Sequence, residues 1–182
     1  MSTQQVQSEQ RYVYVGYHGE ENPTERERIL HLLDTYSTTE GFVAQYLPKW
    51  IDVSPNQTVQ GGLRTVQGRE ALHARLMKKR LIELKGDSAA KIPEIRKEKE
   101  VPFFSSPDHS DVEKLKVLSE LFGNGEAFLS PVMEIADGIK DDLLTAELLR
   151  TILDNEMESI TWVQEMYRVL SAEQESDQET QH

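Results

Sequence analysis

Residues 47–59 read LPKWIDVSPNQTV, and their reading decides the fold. Ahead of this stretch Ile29, Leu32, Leu33, Tyr36, Val43, Leu47 and Trp50 recur mostly at three- and four-residue steps, the period of a helix and not the alternation of a strand. That spacing predicts a first helix running to about Ile51. Ser54-Pro55-Asn56-Gln57 then places a capping residue before a proline, the signal of a helix start, so a second helix is predicted within a few residues of the first. Two long helices joined that tightly are antiparallel neighbours.

The same punctuation continues outward. Asn22-Pro23-Thr24-Glu25 predicts that the first helix starts at Pro23. The second helix carries Val59, Leu63, Val66, Met77, Leu81 and Leu84 on one stripe and reaches Gly86, which suits a C-terminal cap. Residues 87–109 contain Pro93, Pro102, Pro107 and the run IRKEKE, and they read as a connection long enough to travel the length of a bundle. Ser110-Asp111-Val112-Glu113 opens a third helical segment that Gly123-Asn124-Gly125 and Ser130-Pro131 interrupt, leaving it short, kinked or split. From about Leu143 a last helix carries Leu149, Ile152, Ile160, Val163, Met166 and Leu170. The expected architecture is all-α, a four-helix bundle over residues 23–170 with a long crossover between its second and third helices. Residues 1–22 form an arm in which Tyr12, Tyr14 and Tyr17 suit an extended segment lying on the bundle or on a second subunit, so a homo-oligomer is one expectation. Residues 171–182 are almost wholly polar, bury nothing, and are expected to be a disordered acidic tail.

Composition excludes several function classes. With 182 residues the chain has room for one domain and its tails. Asp and Glu number 32 against 20 Lys and Arg, a net charge of -12 that argues against nucleic acid or an anionic membrane as partner. There is no cysteine, so disulfides, thiolate metal sites and cysteine nucleophiles are ruled out, and any metal must use Asp, Glu or His. The start, MSTQQVQSEQ, lacks the basic and apolar regions of a signal peptide, and no apolar run approaches the roughly 20 residues of a membrane span, so a soluble cytoplasmic protein is expected. No glycine-rich phosphate loop and no serine–histidine–acid set can be placed.

Three apolar stripes are broken by ionisable residues. Glu40 stands between Tyr36 and Val43, Glu70 and His73 stand between Val66 and Met77, and Glu156 stands between Ile152 and Val163. The Glu70-x-x-His73 spacing puts both side chains on one helix face about one turn apart. If the first turn is centred near residue 54, Glu40 precedes it by 54 − 40 = 14 residues and Glu70 follows by 70 − 54 = 16, so at ~1.5 Å per residue both lie ~21–24 Å away and face each other. Glu126 precedes Glu156 by 30 residues, just as Glu40 precedes Glu70 by 30. Carboxylates converging in one core require a compensating positive charge, and a metal ion supplies it. The alternatives are local: Glu40 at the edge of its stripe, Glu70 and His73 paired with an arginine such as Arg64 or Arg75, and Glu156 on a solvated acidic face.

In these residues the chain resembles the ferritin-like bundles, including bacterioferritin and rubrerythrin. In that family each helical hairpin contributes a Glu from its first helix and a Glu-x-x-His from its second, and the set binds two metal ions. Glu70-Ala71-Leu72-His73 within GREALHARLMKKR matches the second-helix motif, and Glu156 within ILDNEMESITWVQEMY matches the last-helix Glu. The resemblance implies iron, as one or two ions, at Glu40, Glu70, His73, Glu126 and Glu156, with manganese or zinc as other cations, and oxidation of ferrous iron by dioxygen or peroxide. Ser159 stands where the family has its second histidine, and Glu120 and Glu134 compete with Glu126 for the third-helix position. Three readings follow: a complete dinuclear site, a single-metal site, or a helical protein with a degenerate site that acts by interaction and not by catalysis.

Overall fold

A computed structural model describes residues 23–180, and they form an all-α chain. Its helices are α1 (Glu25–Val53), α2 (Gln57–Glu83), α3 (Glu94–Ser105), α4 (Asp111–Phe122), α5 (Gly125–Gly138) and α6 (Leu143–Thr180). The arm expected over residues 1–22 lies outside the described residues.

Both hairpin helices start two residues later than their prolines suggest. Thr24 Oγ1 accepts from the Glu27 N–H at 3.3 Å while the Glu27 carboxylate accepts from the Thr24 N–H at 2.7 Å, a closed capping box that starts α1 at Glu25; Asn22, the expected cap, lies outside the described residues. Asn56 caps α2 by accepting from the N–H groups of Thr58 and Val59. Ser54 is engaged elsewhere. Its hydroxyl donates to Asp111 at 2.6 Å beside Trp50 Nε1, which donates to the same carboxylate at 2.7 Å, so the first turn is clamped to the start of α4. At the far end of α2 the Gly86 N–H donates to the Leu81 carbonyl and the Lys85 N–H to that of Ile82, the Schellman pattern. The left-handed residue is Lys85 (φ 55°), whereas Gly86 is needed for space, because a Cβ there would lie 2.4 Å from Leu81 Cδ1.

The connection over 87–109 contains a helix that its prolines conceal. Pro93 is the N-cap of α3 and Pro102 lies inside it, while Arg96 and Glu100 pair across one turn. Phe104 anchors α3 on α1, its ring 5.2 Å from Tyr46 and 5.3 Å from Trp50. The third segment does split, at Gly123 (φ 51°), and Asn124 caps α5 through the Ala127 N–H. Pro131 does not interrupt α5. The Ala127 carbonyl that it deprives of a donor accepts from the Ser130 hydroxyl at 3.1 Å. Pro48 in α1 is accommodated alike, since Gln67 Nε2 donates to the Ala44 carbonyl at 3.4 Å. α6 runs past Leu170 to Thr180, where a disordered tail was expected from Ser171. Extending an existing helix adds one hydrogen bond per residue ordered, and Ala, Glu and Gln oppose this least.

Cross-contacts fix the helix directions. Arg26 donates to the Leu84 carbonyl and Gln67 to that of Ala44, so α1 and α2 are antiparallel. Arg80 meets Asp142 and Gly62 meets Trp162, which runs α6 against α2. Glu25 accepts from the N–H groups of Lys140 and Asp141 while Ser54 reaches Asp111, which runs α4 and α5 against α1. The order is up, down, down, up, with α3 on the crossover.

Two apolar clusters fill the interior. One gathers Leu33, Tyr36, Met77, Leu81, Leu149 and Ile152, and the other Tyr46, Leu47, Trp50, Leu63, Phe104 and Leu115. Between them lies a polar layer of Glu40, Glu70, His73 and Ser159, all buried, with Glu156 nearly so. Gly62 governs the packing beside this layer, because a Cβ on it would stand 1.9 Å from Cζ2 of Trp162. Gly62→Ala is therefore expected to destabilise the fold by about 1–3 kcal/mol through displacement of the indole. Urea unfolding measures it, and a loss below about 0.5 kcal/mol would show that the ring moves freely.

Candidate metal centre

Helical period and matched depth bring four of the five expected ligands together. Glu40 comes from α1, Glu70 and His73 from successive turns of α2, and Glu156 from α6. His73 Nδ1 lies 2.9 Å from Glu156 Oε1 and 3.6 Å from Glu40 Oε2. One ligand atom each of Glu40, His73 and Glu156 falls within 4.8 Å of the others. Glu70 lies close enough to Glu40 and Glu156 for their charges to act on it.

The electrostatics of the layer are those of excess negative charge out of water. Burial pushes the Glu40 carboxyl well above the ordinary carboxylate range, and the charge of Glu156 adds to it. Burial also raises Glu70, followed by the charges of Glu40 and Glu156. Both carboxyls are thus held toward their protonated forms, and they titrate as a coupled pair. Glu40 Oε2 is buried and has no hydrogen-bond partner among the described residues. A buried carboxylate oxygen left this way is costly, and it faces the histidine nitrogen and the second carboxylate that would share a cation with it.

His73 is oriented from behind. Asn155 Nδ2 lies 3.3 Å from His73 Nε2, and the Asn155 amide presents a donor at one end and an acceptor at the other. It therefore suits either tautomer, including the one in which Nδ1 is free to bind a metal and Nε2 carries the proton. Ser159 is buried but already engaged. Its hydroxyl donates to the Asn155 carbonyl at 3.0 Å and accepts from Arg69 Nη1 at 3.2 Å, while Arg69 also pairs with Glu158. Arg64 instead bonds Gln60 within its own helix.

Glu126 does not reach this layer. It is exposed in the first turn of α5, where Gly125 meets α6, its Cβ position 3.1 Å from Ile160 Cγ2 and 3.2 Å from Met157 Sδ. The next residue, about 100° further round the helix, faces solvent. Glu120 and Glu134 are exposed as well, so no third-helix carboxylate joins the site. Arg69 and Asn155 were not read from the sequence as site residues. Their only signal is adjacency to Glu70 and Glu156, since neither breaks an apolar stripe.

The raised carboxyl pKa values have a sign that can be tested. The folded metal-free protein holds a proton that the unfolded chain gives up near the ordinary carboxylate pKa of about 4.3, so its stability falls as pH rises above that value. Glu70→Gln keeps a hydrogen-bond donor and removes the ionisation. Metal-free Glu70→Gln is expected to lose less stability than wild type between about pH 5 and pH 8 in urea titrations, and equal pH slopes would contradict the raised Glu70 carboxyl.

Comparison with protein-family models, with curated proteins and with solved structures finds no match for this chain, so the functional reading rests on the residues themselves.

Proposed function

We propose that the polar layer is a carboxylate–histidine metal centre and that the chain is a ferritin-like four-helix bundle built around it, binding iron or manganese. The observation that carries this reading is the partnerless buried Oε2 of Glu40, set against His73 Nδ1 and the Glu156 carboxylate. Two carboxylates and one imidazole form a hard-to-borderline donor set that suits ferrous or manganous ions, with zinc as a competitor. The up-down-down-up helix order and the crossover after the second helix are those the resemblance implies.

Glu40, His73 and Glu156 would hold the cation, and its positive charge would favour the ionised forms of the raised carboxyls beside it. Bound iron supplies one-electron chemistry toward dioxygen or peroxide, which makes ferrous oxidation the activity to assay. Ser159, held by Arg69, and the exposed Glu126 favour one ion over two. The same Arg69 network supports the second reading, a helical protein that has lost its metal chemistry and works by interaction.

Elemental analysis of untagged protein reconstituted with ferrous iron separates the two. The expected result is about one metal per chain, lost in Glu40→Gln and His73→Ala; absence of metal from reconstituted wild type overturns the metal reading. At a metal concentration a hundredfold above Kd the bound protein is expected to gain about 2.7 kcal/mol in stability. Asn155→Ala is expected to weaken metal binding by about 10–100-fold through loss of histidine orientation, measured by competition with a chelator, and unchanged affinity would remove Asn155 from the site.

A further inference from the structure

A cavity of about 100 Å³ opens against the polar layer on the side of the second apolar cluster. Its walls are apolar side chains from α1, α2, α4 and α6, among them Val43, Leu63, Val66, Leu121, Phe122 and Trp162. Glu70, Glu156 and Ser159 form one end, and the Arg96–Glu100 pair of α3 lies at its edge. Protein interiors are packed to crystal density, and a void lined by large side chains forfeits their dispersion contacts. This one sits where the third helical segment breaks at Gly123, and its wall depends on Gly62, whose missing Cβ lets the Trp162 indole lie against α2.

We propose that this cavity is a binding site for a small uncharged aliphatic molecule, with one end of the ligand presented to Glu70 and Glu156. The chemistry of the walls selects that class. Apolar lining with a few convergent polar groups at one end is the composition of a small-molecule site. A carboxylate or phosphate head is opposed at the inner end by Glu70 and Glu156, and at the edge Arg96 is already bound by both oxygens of Glu100, at 2.5 and 2.9 Å. A cationic head would compete with the proposed metal ion for the same carboxylates, and the rest of it would have to leave water for a site whose walls are hydrocarbon. A short alcohol or alkene satisfies both constraints: its chain replaces lost dispersion contacts, and a hydroxyl finds an acceptor in the carboxylates. The proposal rests on the metal reading only for what the bound molecule meets, a metal-ligating carboxylate; occupancy of the cavity itself needs no metal.

The test uses the full chain, metal-free and loaded with cobalt(II), titrated with n-alkanols from propanol to octanol and followed by tryptophan fluorescence and calorimetry. Saturable one-site binding is expected, with affinity rising about fourfold per methylene while the chain still fits. An optimum is expected at about four to six carbons, set by the cavity volume. Val66→Phe and, independently, Leu121→Phe fill the space and are each expected to reduce affinity more than tenfold while leaving metal content unchanged; one folded variant of the two suffices. Saturating alkanol is expected to shift the visible bands of the cobalt protein. Affinity that climbs with chain length without an optimum and ignores both variants is surface partitioning and overturns the proposal, as does absence of saturable binding. Unshifted cobalt bands at saturation overturn the placement against the metal ligands. Failure to bind cobalt overturns the metal reading alone, and the metal-free titration still decides the cavity.

Discussion

The structure is organised around a charge that its own protein groups do not neutralise. Glu40, Glu70 and Glu156 converge between two apolar clusters, with His73 as the ionisable nitrogen among them. The histidine does not satisfy every oxygen, and Glu40 Oε2 is left over among the described residues. Replacing such a layer with leucines would join the two clusters into one core and remove the desolvation penalty, so the layer is not explained by stability. A ligand bound by the carboxylates, as proposed, would account for it.

Everything near the layer is arranged to hold it still. The hairpin of α1 and α2 sets the heights of Glu40 and His73, and the clamp of Trp50 and Ser54 on Asp111 ties that hairpin to α4. At the opposite end Glu25 accepts the N–H groups of Lys140 and Asp141, and Arg80 bonds Asp142 and Thr145, fixing the start of α6. Glu156 is thus positioned by contacts made several turns away. Two prolines inside helices are tolerated because Gln67 and Ser130 donate to the carbonyls they leave bare. A rigid frame of this kind lets side chains meet at ligand distance without a loop to carry them.

The amount of this that was legible in the sequence follows from what each residue interrupts. Glu40, Glu70, His73 and Glu156 stood out because each broke a 3.6-residue apolar pattern, and helix rise then placed Glu40 and Glu70 at one height. Glu126 failed the same logic because the pattern was not continuous there: the left-handed Gly123 restarts the helix, and Gly125 takes the inward position. The 30-residue symmetry between Glu126 and Glu156 was arithmetic that the break does not respect. Prolines misled in both directions. Pro93 and Pro102 hid α3, and Pro131 was read as an interruption, because the groups that compensate for a proline lie on other turns or other helices. The tail was misread because a polar segment buries nothing, yet it can still continue a helix begun upstream.

Arg69 and Ser159 bear most directly on how many cations the layer accepts. Ser159 occupies the α6 turn after Glu156 and faces inward, which is the place for a further nitrogen ligand. Its hydroxyl is instead spanned by Asn155 and by a guanidinium that also pairs with Glu158 at the surface. That bridge ties the outer faces of α2 and α6 with a fixed positive charge, and it draws the serine oxygen away from the carboxylates. A second ion would have to compete with this network and to do so with Glu70 as its one remaining buried carboxylate, since Glu126 faces solvent. Charge points the same way, because one divalent cation would balance the Glu40 and Glu156 carboxylates, whereas two would leave the layer positive even with Glu70 ionised. The space beyond Ser159, where additional ligands would have come from, is apolar cavity. The geometry therefore favours the proposal of one cation beside an apolar pocket over that of a pair of ions.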